Sequence, residues 1–154
     1  MKKLKPIARV ITYNKDDNKI LLVRNKDASF WYAPGGTWEY EKESVLECAE
    51  REVFEEAGLK VKVGKLIYVQ EFHGSDKDGE VVCLETFWLG ELTHEQELNK
   101  DHIDLDPNGA VEEARWFSKE ELQDLKVFPK RLKDSFWSNI DLLLSGEDLF
   151  IGVS

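Results

Sequence analysis

Within Arg51-Glu52-Val53-Phe54-Glu55-Glu56-Ala57-Gly58-Leu59, three carboxylates crowd into little more than one helical turn. At about 100° per residue, a helix gathers Glu52, Glu55 and Glu56 within an arc of about 100°. Each like-charged pair at i,i+3 or i,i+4 costs a few tenths of a kcal/mol, roughly 0.3. The nearest following lysine, Lys60, lies past Gly58 and gives little relief. Oxygen donors clustered in this way suit a hard cation such as Mg²⁺ or Mn²⁺. A solvated helix face in a chain with 31 acidic residues would look the same, so these three residues alone leave both readings open.

The elements that must position them are legible around the cluster. Ser44 is a helix cap with Glu47 three residues on, the reciprocal pattern of a capping box. Gly58 stands where a helix-ending glycine belongs, so the helix should run to about Ala57. Leu46, Ala49, Val53 and Ala57 share one face, which should pack on a sheet. Pro6–Tyr13 and Lys19–Arg24 read as strands around the turn Asn14–Asn18. Phe30-Trp31-Tyr32 reads as a strand end, followed by a sharp turn at Ala33-Pro34-Gly35-Gly36. Leu59–Phe72 and Glu80–Leu92 read as longer strands joined by the turn His73–Gly79. Thr93–Ala110 is polar and loop-like, and Ala114–Phe117 a short strand. Ser118 caps a short helix, with Glu121 three residues on. Pro129 should open a last helix through about Leu144, carrying Leu132, Phe136, Trp137, Ile140 and Leu144. The tail Asp148–Val153 reads as an edge strand. Strands on both sides of a central helix, with a second helix at the end, give an α/β or α+β chain. Its expected architecture is an α/β/α sandwich with a mixed β-sheet.

The 154 residues fit a single domain spanning 1–154. Hydrophobic residues at 42% and charged residues at 34% describe a folded chain rather than a disordered one. Acidic residues outnumber basic ones 31 to 21, a formal charge of −10. Such a chain repels polyanions, which argues against nucleic acid, RNA 5′ ends included, and against anionic membranes. A small phosphorylated substrate is still admissible, because a bound divalent cation inverts the local field. Cys48 and Cys83 read as reduced core thiols, which fits a cytoplasmic location. Arg9 interrupts the short apolar stretch after the basic start, so no signal peptide is read. No apolar run approaches the roughly 20 residues of a membrane span.

Pro34-Gly35-Gly36 upstream, Glu43 eight residues before Arg51, and Gly58 closing the helix complete a longer pattern. It resembles the Nudix box of the Nudix (MutT-like) hydrolases: glycine, five residues, glutamate, seven residues, then Arg-Glu-aliphatic-any-Glu-Glu-any-Gly-aliphatic. From Glu43 to Leu59 the match holds in spacing and type. The strands before the box, and Glu112 to Phe117 after it, extend a looser resemblance over most of the chain. One position departs. The family's glycine falls where this chain has Thr37, with Gly36 one residue earlier, so the loop Thr37–Lys42 is one residue longer. The resemblance implies a Nudix-type fold and metal-dependent attack of water on a nucleoside diphosphate linked to another group. It implies Glu55 and Glu56 as metal ligands, Glu52 as ligand or general base, and Gly36 or its neighbour as a carbonyl donor. Arg51 would orient the carboxylates through Glu43 and Glu55.

Further candidates are less specific. Arg24 could meet a phosphate. Trp31, Tyr32 and Phe72 could stack on a base or ribose. Glu112 or Glu113 could supply a loop carboxylate. His73, His94 and His102 have no partners in the sequence and receive no role. Family signatures for ADP-ribose, dinucleoside polyphosphates and coenzyme A are absent, so nucleoside triphosphates and nucleotide sugars both stay open. A Nudix-fold binding module without turnover is the alternative, and lost box carboxylates would have marked it. Oligomeric state is open between monomer and homodimer, with Phe136 and Trp137 as exposed-looking aromatics that a dimer would use.

Overall fold

Alternate residues of β1 (Lys3–Asn14) go to opposite faces of a sheet, and both faces are covered. Ala8 and Val10 join one buried cluster, and Ile11 joins another. The same split recurs on β2 (Lys19–Asn25), where Leu21 faces the first cluster and Ile20 and Leu22 the second. Two buried faces on one sheet require a covering layer on each side. The computed structural model describes residues 1–98 and 104–154; His102 and part of the 93–110 segment lie outside them.

The remaining elements are β3 (Phe30–Tyr32), β4 (Gly35–Thr37), α1 (Val45–Ala57), β5 (Val61–Asp76), β6 (Gly79–Leu92), β7 (Val111–Phe117), α2 (Lys119–Leu122), β8 (Lys126–Phe128), a 3₁₀ turn Lys130–Lys133, α3 (Ser135–Ser138) and α4 (Ile140–Ser145). The sheet runs β5-β6-β1-β2-β3-β8, with β4 on β1 and β7 on β2. β1 pairs with β6 in parallel from Lys3↔Val81 to Thr12↔Gly90, and β3 with β8 in parallel; the other pairings are antiparallel. The mixed sheet between helices is the expected sandwich, an α+β fold. Helix α1 covers one face through Cys48, Ala49, Val53 and Ala57. Leu122, Leu132, Phe136 and Trp137 cover the other. No helix among the described residues is long and apolar enough to cross a membrane.

Several expectations change. Leu46 is only partly buried, and Cys48 takes its place on the packed face. The β5–β6 turn is tighter than His73–Gly79. Pairing continues to Asp76↔Gly79, because Asp76 Oδ1 accepts the Asp78 N–H at 2.8 Å and Gly79 takes φ +126°. His73 therefore lies in a strand. Glu112 and Glu113 are likewise in β7, not a loop. The long C-terminal helix is broken. The Asp134 carboxylate accepts the Ser135 N–H and starts a new helix, while Trp137 Nε1 donates to Leu132 O at 2.7 Å. Phe136 and Trp137 are core residues, not a dimer face. The tail forms no strand; its Phe150 packs edge-on against Trp88.

Candidate active site

Helix α1 is fixed at both ends by its sequence. Ser44 Oγ accepts the Glu47 N–H at 3.2 Å and Glu47 Oε1 accepts the Ser44 N–H at 3.0 Å. Gly58, at φ 73°, returns its N–H to Phe54 O at 2.9 Å. The helix thus has one rotational setting, and that setting buries two of the three carboxylates as well as the apolar stripe. Glu52 is 9% exposed and Glu56 7%.

Strand β4 lies against this face. Instead of a sharp turn, Gly35 and Gly36 are extended and pair with Arg9 and Ala8. Their lack of a side chain answers a need for space. A Cβ on Gly35 would fall 2.3 Å from Ala8 O, and one on Gly36 would fall 2.4 Å from Glu52 Oε1. Gly36, not Thr37, is therefore the residue whose backbone adjoins the Glu52 carboxylate. The longer loop that follows is closed locally: Trp38 Nε1 donates to Glu43 O at 2.9 Å and Glu39 N–H to Glu43 Oε1 at 3.2 Å.

One guanidinium ties the carboxylates together. Arg51 meets Glu43 in a fork, Nε to Oε2 at 2.9 Å and Nη2 to Oε1 at 2.8 Å. Its Nη1 reaches Glu52 Oε1 at 3.0 Å and both Glu55 oxygens at 3.2 Å. The fork is a strong, planar form of ion pair. Glu43 is held below the usual carboxylate range by the Arg51 hydrogen bonds. Glu52 is pushed up to about 7, first by burial, then against Arg51 and with Glu55. Glu56 is raised well above its ordinary value by burial and by Glu52, although its Oε2 accepts the Gly35 N–H at 3.0 Å.

Arg51, Glu52 and Glu56 line a polar cleft of about 320 Å³. Its far wall brings in residues that sequence reasoning missed. Asp104 and Asp106 enter from the loop before β7, which is fastened to the helix by the Leu105 N–H on Glu55 O at 2.8 Å. Asp104 Oδ2 also accepts the Val111 N–H at 3.1 Å. Two acids in a polar stretch carry no spacing signal, so only the fold finds them. Asn25 and Tyr32, hydrogen-bonded to each other, complete that side.

The family model for the NUDIX domain matches residues 3–136. The chain belongs to the Nudix family. Solved structures share the fold over most of the chain. The Escherichia coli ORF135 protein is 20% identical, with TM-score 0.65 over 94% of this chain and 96% of that one. The MutT protein of Bacillus halodurans is 26% identical, with TM-score 0.57 over 94% and 84%. An ADP-ribose pyrophosphatase from Streptococcus suis is 26% identical, with TM-score 0.55 over 80% and 79%. The protein is a Nudix pyrophosphohydrolase, in a family that uses divalent metals and acts on small nucleotides.

The donor set of this Nudix site suits a hard divalent cation. It is all oxygen, its two buried carboxylates are short of solvation, and Gly36 leaves open the space a Cβ would take beside Glu52. Among the described residues, no three acidic, imidazole or thiol side chains already converge on one point. Both Glu55 oxygens are turned to Arg51. The substrate contacts expected from sequence lie elsewhere. Arg24 bonds Glu113 Oε1 at 3.2 Å and the carbonyls of Asn25 and Ala28. Glu113 is pushed up by burial but held below its usual range by Arg115 and Arg24. Trp31, 6% exposed, stacks edge-on with Phe117 at 4.8 Å inside the core. Of the three aromatics named, Tyr32 and Phe72 reach open space.

Proposed function

We propose that this Nudix hydrolase cleaves a diphosphate linkage in a nucleoside diphosphate joined to another group, with Mg²⁺ (or Mn²⁺) held by Glu52, Glu55, Glu56 and the Gly36 carbonyl. The observation that carries this is the pair of buried carboxylates, Glu52 and Glu56, beneath a glycine strand that leaves room beside them. When bound, the cation neutralises diphosphate oxygens and acidifies water. The chain's own groups do the rest. Glu43 anchors the Arg51 guanidinium, and Arg51 sets the azimuth of Glu52 and Glu55. Glu56 is oriented by the Gly35 N–H. The proton of the attacking water passes to a cleft carboxylate; Glu52, Asp104 and Asp106 line that cleft. A cytoplasmic, reducing setting suits its two free, buried thiols.

The test is a panel of nucleoside triphosphates, nucleotide sugars, ADP-ribose and dinucleoside polyphosphates with Mg²⁺ or Mn²⁺, products identified by mass. Its range reflects structural neighbours that include MutT proteins and an ADP-ribose pyrophosphatase. At least one class is expected to turn over. Glu55→Gln and Glu56→Gln should abolish turnover, by several kcal/mol, roughly 3 or more, of transition-state stabilisation, while melting like folded protein. Near-normal rates in those variants would sink the assignment. Silence across the panel would favour a binding module.

A further inference from the structure

The sheet ends on one side at β5, which pairs with β6 and, among the described residues, with no other strand. An edge strand offers a row of free N–H and C=O groups to any chain that can meet them. Which groups face outward here follows from the turn. Asp76 and Gly79 pair with only two residues between them, so this pair must exchange both backbone bonds. Alternation then turns the backbone groups of Gly74, Phe72, Gln70 and Tyr68 toward β6. Those of Ser75, His73, Glu71 and Val69 face outward. The register is regular from Tyr68 to Asp76, and the shifts lie before it, between Val63 and Tyr68. The C-terminal tail passes the edge at that irregular start. Lys65 Nζ holds the carbonyls of Leu144 and Gly146 at 2.6 Å each, and Phe150 then packs on Trp88, whose β5 neighbour is Leu66. The stretch beyond has neither proline nor bulge, two common guards against edge pairing. Val69 is 58% exposed there and Phe72 51%.

The charges on this edge select a partner. Each chain carries −10, so indiscriminate self-association is opposed. In a two-fold antiparallel pairing, outward residues must meet outward residues. Centred on Glu71, the pairing sets that carboxylate against its own copy. Centred on His73, it sets imidazole against imidazole. Like charges directly opposite destabilise a sheet. Centred on Phe72, Glu71 lies opposite the partner's His73, and His73 opposite the partner's Glu71. Within one chain these two already meet on a common face, His73 Nε2 to Glu71 Oε2 at 2.5 Å. The pairing therefore closes a ring of four groups in which acid and imidazole alternate. Val69 meets the partner's Ser75. The two copies of Phe72 form a non-hydrogen-bonded pair, where side chains stand closest. One register thus satisfies the backbone, the charges and the rings together.

We propose that the protein forms a two-fold homodimer by antiparallel β5–β5 pairing centred on Phe72, with one sheet running through both copies. A single pair of strands makes a small interface of the transient class, half-dissociated at about 10–100 µM.

Sedimentation equilibrium of the full chain from about 1 to 500 µM, which spans that range, should show the mass rise from one chain to two. His73→Pro removes an outward N–H and spares the β6 ladder, so it should leave single chains that melt like wild type. Glu71→Lys should weaken the dimer about tenfold or more, and adding His73→Glu should restore it, because the charges are then exchanged rather than lost. Cys83 faces position 72 across β6, so cross-linking is done in a Cys83→Ser background. There Phe72→Cys should oxidise to a disulfide-linked dimer, since the axis brings the two copies of that position within bonding reach, and Ser75→Cys should not. A chain that stays single at every concentration overturns the proposal. So does a dimer indifferent to both Glu71→Lys and His73→Pro, or equal cross-linking by the two cysteine variants.

Discussion

Glu52 is an ionisable group in a place that opposes ionisation. Its ordinary value is 4.5 and the fold lifts it to about 7, chiefly by burial. A carboxyl raised on folding contributes its full stability below pH 4.5 and loses it as pH rises through 7. In chelator, wild type should therefore lose stability relative to Glu52→Gln between about pH 4.5 and 7, by at most about 3 kcal/mol. Melting both proteins at pH 5 and pH 8 checks this. The variant should gain on wild type at pH 8, and a gap indifferent to pH would contradict the burial argument. At this scale the sequence carried much of the site. Glu43, Arg51, Glu52, Glu55 and Glu56 announce themselves by spacing, because a helix converts spacing into direction. Asp104 and Asp106 do not, since loop closure brings them in from distant positions.

Among the elements, α1 was legible to the residue because its caps are written in side chains, Ser44, Glu47 and Gly58. Strand β4 was not, because two glycines look like a turn when the strand that receives them is out of sight. β8 spans three residues, too few to show a period. The C-terminal helix was over-read for the opposite reason: an apolar period persisted through Asp134, whose carboxylate breaks the helix locally. The glycine strand yields a prediction of its own. Gly36→Ala drives a methyl group into Glu52, so kcat should fall by about 100-fold or more, with a stability loss of about 1–3 kcal/mol. Gly64→Ala meets nothing within 4 Å and should stay within about 0.5 kcal/mol of wild type. Equal kinetics for the two alanines would show that the space beside Glu52 is immaterial.

For the molecule as a whole, two cores back to back fix everything else. Cys48 belongs to the α1 core and is pushed up to about 12 by burial and by Glu43; Cys83, on β6, is also raised by burial. Thiolate is the reactive form, so neither should be alkylated at neutral pH in the folded state. Counting iodoacetamide adducts by mass, native against denatured, should give none and then two; prompt native labelling of Cys48 would mean that the α1 core opens. That the chain is a sheet with helices on both faces could be read from its alternating strands and its amphipathic helix. Which strands adjoin could not, because β1 and β6 have no local sign of belonging together.

That parallel pairing also sets an order of assembly. The ties within the carboxylate cluster are short-range: Arg51 reaches back eight residues to Glu43, and Glu56 reaches 21 to Gly35. The Arg9–Glu85 ion pair joins β1 to β6 across 76 residues. Contacts distant in sequence carry the larger loop-closure cost and tend to form late. During synthesis, then, the carboxylate helix and its glycine strand can meet while β6 is still being made. The first strand of the chain must wait with one edge unpaired until its partner emerges.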